Sequence, residues 1–177
     1  MERYSEVVGL PVICIEDGKR IGIVCDIIFC PKKKEVKALL LERKGCEISM
    51  KAILLRDIAS LGKDAVIVKD CTRVTKMRKL KDEELFIDKG EVKGLRIFTK
   101  SGHDLGVVKD VLFDYKTGSI EGLEISDGLL QDIVQGRNIL PLFGKVEFSE
   151  ESILVDREAV EEMTTTGGGL KNILGKE

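Results

Sequence analysis

The residues of this chain with chemistry to offer are five cysteines, one histidine and scattered aspartates. Cys14, Cys25, Cys30, Cys46 and Cys71 all lie in the first half, and no two are spaced Cys-x-x-Cys. A zinc site built from local ligands wants tighter spacing and help from histidine. The thiols therefore read first as small, reduced hydrophobes of an intracellular protein. Cys25 and Cys30 are five positions apart, so a regular strand would send them to opposite faces. That weighs against a shared metal unless a bulge intervenes. His103 beside Asp104 has the make-up of an acid–base pair, but Ser101-Gly102-His103-Asp104 is turn-like, and polar turn residues are usually solvated. The chain has no Gly-x-Ser-x-Gly, phosphate loop or His-Glu-x-x-His motif. A cysteine nucleophile would need a base within reach, and the sequence offers none. No catalytic, cofactor-binding or metal-ligating residue is assigned, and the expectation is a non-enzyme without a cofactor.

The elements that would position these groups come in two copies. "GKRIGIVCDIIFCPKKKEVKALLL" starts at Gly18, and "GHDLGVVKDVLFDYKTGSIEGLEI" starts at Gly102. Over 22 aligned positions seven are identical, among them Gly22/Gly106, Val24/Val108, Asp26/Asp110 and Phe29/Phe113. Upstream, "GLPVI" matches "GLRIF" once a one-residue gap is allowed, and downstream "GKDAVIV" (62–68) matches "SEESILV" (149–155). A unit of roughly 65–70 residues is too long for a solenoid repeat and fits a duplicated small domain.

Short apolar runs separated by Gly, Pro and charged turns predict β-strands in each copy. The runs are LPVICI, RIGIVCDIIF, VKALLLE, CEISMKAIL and AVIVKD in the first. LRIFTK, DLGVVKDVLFD, IEGLEI, NILPLFG and SILVDRE follow in the second. The run from Arg20 has apolar residues on both parities, which a half-exposed strand forbids. A bulge near Gly22 or Asp26 would resolve this. Asp26 and Asp110 recur inside apolar runs and are expected to accept backbone N–H bonds there. Two short helices are predicted: one around Leu129, Leu130, Ile133 and Val134 capped by Asp127, and Asp156–Met163 capped by Asp156.

The expected organisation is a first β-domain at 1–74, a linker at 75–92, a second β-domain at 93–163 and a flexible tail at 164–177. The segment from Cys71 that joins the two domains opens with Arg73, Lys76, Arg78, Lys79 and Lys81, with no interleaved aromatic residues for stacking single-stranded RNA. Residues 94–163 carry 14 acidic side chains against 7 basic, a poor nucleic-acid surface. Apolar runs stop short of the ~18 residues a membrane span needs, and the start does not read as a signal peptide. A cytoplasmic location is expected.

The phrase Gly-x-x-Leu/Ile-Gly-x-Val-x-Asp-Val/Ile, then Phe, a Lys/Gly turn and Val/Ile-x-x-Leu, resembles the PRC-barrel family. It is carried by Gly18, Ile21, Gly22, Val24, Asp26, Ile27 and Phe29, and again by Gly102, Leu105, Gly106, Val108, Asp110, Val111 and Phe113. The resemblance covers roughly 9–74 and 94–163. It implies an all-β fold with minor helix: two tandem small β-barrels of SH3-like size. The family includes the cytoplasmic domain of the photosynthetic reaction-centre H subunit and the C-terminal domain of a ribosome maturation factor, and its known roles are protein–protein contact. The chain lacks the membrane helix of the one and the separate N-terminal domain of the other, so neither specific function transfers. The reading is a non-catalytic protein-interaction adaptor with a protein partner, in an assembly at the ribosome or the membrane surface, or as a homodimer. One alternative is a metal- or redox-responsive protein using Cys25, Cys30 and a neighbouring Cys14 or Cys46. The other is a ribosome- or RNA-associated factor.

Overall fold

The computed structural model describes residues 1–30, 33–42, 50–76, 92–127, 137–142, 146–149 and 151–165. The chain forms two compact units, Met1–Gly90 with Phe113–Ser119, and Glu91–Leu112 with Ile120–Glu177. Both are built from strands. The expected linker at 75–92, the helix around Leu129–Val134 and most of the 164–177 tail fall largely outside the described residues.

The first unit opens with β1 (Glu2–Arg3) and a single helical turn, α1 (Tyr4–Val7), which buries Val7. Strands β2 (Pro11–Cys14), β3 (Arg20–Cys30), β4 (Glu35–Leu41) and β5 (Lys51–Leu54) follow. A 3-10 turn, Leu55–Asp57, leads into β6 (Ile58–Leu61) and β7 (Val66–Val68). A second 3-10 turn, Cys71–Arg73, precedes β8 (Thr75–Lys76). The sheet order is β6-β7-β2-β3-β4-β5-β8. Strands β5 and β6, well apart along this path, are consecutive in the chain, so the path returns toward its start through the Leu55–Asp57 turn.

The second unit repeats that plan with β9 (Arg96–Thr99), β10 (Asp104–Phe113), β11 (Ile120–Ser126), β12 (Asn138–Pro141), β13 (Val146–Phe148) and β14 (Ser152–Val155). Helix α2 (Arg157–Glu161) and β15 (Thr164–Thr165) complete it. Its strand path is β13-β14-β9-β10-β11-β12-β15, the first unit's order strand for strand. Both units include one parallel pair, β2 with β7 (Val12 opposite Val66) and β9 with β14 (Ile97 opposite Ile153). This register reproduces the 62–68/149–155 sequence match. Strands β6 and β13 were not predicted, because neither Ile58–Leu61 nor Val146–Phe148 is long enough to show alternation.

The parity problem in β3 is solved by bulges. Residue Ile21 is extra between the pairs Ile13–Arg20 and Val12–Gly22, and Cys25 is extra between Val24–Leu41 and Asp26–Leu40. The second unit has the matching irregularity at Leu105, between Asp104–Phe98 and Gly106–Ile97. A bulge adds one residue and reverses the facing of those that follow. Beyond the bulges the runs Ile27–Cys30 and Ala38–Leu41 are buried throughout, so both faces of the β3–β4 ribbon are covered there. Ile28, Ala38, Leu40 and Ala52 form a cluster on one face, with Cys25, Met50 and Leu54 packed against it.

Candidate functional site

The duplicated aspartates are structural. Asp26 Oδ1 accepts the Ile27 N–H at 2.8 Å and the Tyr4 hydroxyl at 3.0 Å. Asp110, which is buried, accepts the Val111 N–H at 2.9 Å. Each carboxylate is an acceptor for local backbone inside its strand. Other polar groups are similarly occupied. Asp104 accepts the Gly106 N–H at 2.9 Å and pairs with Arg96 at 2.6 Å. His103 is exposed in the β9–β10 turn, where Ser101 Oγ lies 3.1 Å from its Nδ1 and Thr99 Oγ1 accepts its backbone N–H at 2.9 Å. The His103–Asp104 couple is thus divided between two turn networks.

Asp156 departs from its expected role. It precedes α2, but its side chain makes no capping hydrogen bond. It binds Lys100 Nζ at 3.1 Å instead, and Glu147 binds the same ammonium at 2.8 Å. These two carboxylates, Glu147 first, raise the Lys100 pKa above the ordinary lysine value.

These strand pairings and paired bulges are the setting of the family match. The PRC-barrel domain pattern fits residues 1–72 and again 86–160. The chain belongs to the PRC-barrel family. It is a mostly β protein of two tandem PRC-barrel domains. No curated protein matches it. Among the described residues, no helix is long and apolar enough to cross a membrane.

Within the first PRC-barrel the structure makes one grouping that sequence spacing missed. Cys14 ends β2, and its neighbour Ile15 donates its N–H to Val68 O at 2.9 Å. Strands β2 and β7 are parallel, with Cys14 opposite Val68. Both strands therefore finish at the same edge, and the turns that follow them meet there. The β2–β3 turn supplies Glu16, and the 3-10 turn after β7 supplies Cys71. The two sulfur atoms and a Glu16 carboxylate oxygen lie within 4.8 Å of one another. Cys14 is fully buried, while Glu16 and Cys71 are exposed.

Both turns are fastened. Asp70 accepts the Thr72 N–H at 2.7 Å and the Thr72 hydroxyl at 2.8 Å, which holds its carboxyl below the usual carboxylate range. Asp17 pairs with Lys19 Nζ at 2.9 Å and accepts the Lys19 N–H at 3.0 Å, and its pKa too is lowered, chiefly by the Lys19 side chain. The Cys71 thiol is pushed up, first by its hydrogen bond with Cys14. Cys25 is half-buried and its thiol is raised mainly by desolvation, and Cys30 is buried. Among the described residues, the three-ligand group contains neither of them. Cys46 lies outside the described residues. Among those described the thiols brought together are Cys14 and Cys71, whereas the sequence groups Cys14 or Cys46 with Cys25 and Cys30. Nothing in their spacing along the chain announced the pair, because a parallel crossover unites them.

Proposed function

We propose that the chain is a non-catalytic, cytoplasmic adaptor that binds a protein partner through its two PRC-barrel domains. The observation that carries this reading is the duplication itself: two complete copies of a domain that is often an interaction module. The handling of polar side chains supports it. Asp26, Asp104 and Asp110 serve their own backbone, and Lys100 serves two neighbouring carboxylates. Each domain also has an open depression. The first is about 570 Å³, with Glu2, Glu6, Leu61 and Lys63 in its lining; the second is about 420 Å³, with Arg96, Val107, Lys109 and Asp127. Two faces on one chain allow avidity without any new contact chemistry.

Photo-crosslinking residues placed at Leu61 and at Lys109 test the reading. One protein crosslinked at a defined face, and forming a saturable complex when both are purified, is the expected outcome. Catalytic turnover of a small metabolite with no protein captured at either face would refute it. A ribosome-associated role predicts capture that weakens steeply with salt.

A further inference from the structure

We infer that Cys14, Glu16 and Cys71 form a binding site for one thiophilic divalent cation of the Zn²⁺ class, with one coordination position left open to solvent. The donor set is two sulfurs and a carboxylate oxygen within 4.8 Å of one another. In a tetrahedral zinc site, bonds of about 2.3 Å to sulfur set the S···S edge at about 3.8 Å, inside that envelope. Only a small closing of side chains is needed. The backbone carrying the ligands is already fixed. Gly18 N–H donates to Cys14 O at 2.9 Å, Cys14 N–H donates to Lys19 O at 2.9 Å, and Asp70 holds the turn that presents Cys71.

Burial supports the assignment. Cys14 reaches the site from the core, and Glu16 and Cys71 close over it from solvent. Three protein donors with an exposed approach match an accessible, exchangeable ion, whereas a structural zinc is enclosed by four. The second PRC-barrel shows that the fold does not require these groups. By strand register Thr99 stands where Cys14 does, and the same count beyond the strand puts Glu158 at the place of Cys71. Thiols at this corner are a property of the first copy alone. Binding converts two thiols to thiolates and releases their two protons to solvent, with the cation supplying the compensating charge.

The full chain, stripped with chelator and kept reduced with a phosphine, is titrated with Co²⁺ and then Zn²⁺. One Co²⁺ per chain, with a near-ultraviolet thiolate-to-metal charge-transfer band that Zn²⁺ abolishes, is expected. Cys71→Ser should remove the band while leaving the circular dichroism unchanged, since Cys71 is exposed. Cys25→Ser should leave the band intact. Glu16→Gln should keep a band but weaken affinity about ten-fold or more. Cys14→Ser is less decisive because its buried position makes misfolding an alternative cause of loss. The inference is overturned by an absent band in the folded, reduced protein, or by a band that survives Cys71→Ser. A corner that takes up no metal and only forms a Cys14–Cys71 disulfide in air overturns it equally.

Discussion

The two PRC-barrel domains share strand order, the bulge at Ile21 and Leu105 and one parallel strand pair, yet they spend the same positions differently. Gly22 and Gly106 occupy matched places beside matched bulges. Gly22 has an ordinary backbone, and a β-carbon there would sit 3.3 Å from the end of the Leu41 side chain. Gly106 has φ +112°, and a β-carbon would lie 2.8 Å from the Ser126 carbonyl carbon and collide with its oxygen. The first glycine is a matter of side-chain room. The second is dictated by backbone. A repeated residue is therefore not a repeated constraint, and the comparison separates what the fold demands from what each copy has kept.

The largest contrast is expected at those glycines. Gly106→Ala should cost about 3 kcal/mol or more, combining a left-handed backbone with a clash against main chain. Gly22→Ala should cost about 1 kcal/mol or less, since Leu41 can shift. Denaturant unfolding, with hydrogen exchange read separately over each domain, checks both. Equal losses would show that the two bulges carry the same strain.

The aspartates sharpen the contrast at the next level. Asp110→Ala takes the acceptor from a buried N–H and should cost about 2 kcal/mol, against about 1 kcal/mol for the less buried Asp26→Ala. Within the first domain, Tyr4→Phe removes only the hydroxyl donated to Asp26 and should cost less than Asp26→Ala, about 0.5 kcal/mol. A loss from Tyr4→Phe as large as that from Asp26→Ala would mean that the aspartate exists to hold α1 instead of its own strand.

The smallest effect is electrostatic. The raised pKa of Lys100 means that its pairs with Glu147 and Asp156 stabilise the second domain fully below the ordinary lysine pKa. That contribution is lost as pH rises through the still higher folded-state value. The thermal advantage of the native chain over Lys100→Met should accordingly be present at neutral pH and vanish only under strongly alkaline conditions. A difference that disappears between pH 6 and 8 would assign it to another group.

Much of this architecture could be read before the fold was known, because its signals are local. The bulges of β3 follow from apolar residues on both parities of the run from Arg20, and the aspartates follow from carboxylates stranded in apolar runs. Helix α2 follows from the residues after Asp156. The role of Asp156 did not follow, because Lys100 is distant in sequence and reaches it across the parallel β9–β14 pair. The corner of Cys14, Glu16 and Cys71 was illegible for the same reason. Its members are joined by where β2 and β7 end, which no spacing rule encodes. The cysteines that drew attention, Cys25 and Cys30, were conspicuous through nearness in sequence, and one of them is the extra residue of a bulge.

The parallel pairing also governs how each barrel comes into being. Strand β2 cannot meet β7, nor β9 meet β14, until every intervening strand of the same domain has been synthesised. Contacts of such long sequence separation slow folding, and the early strands wait with unpaired edges. A nascent first domain would thus emerge almost whole before it could seal, a stage at which chaperones or premature termination would have their greatest effect.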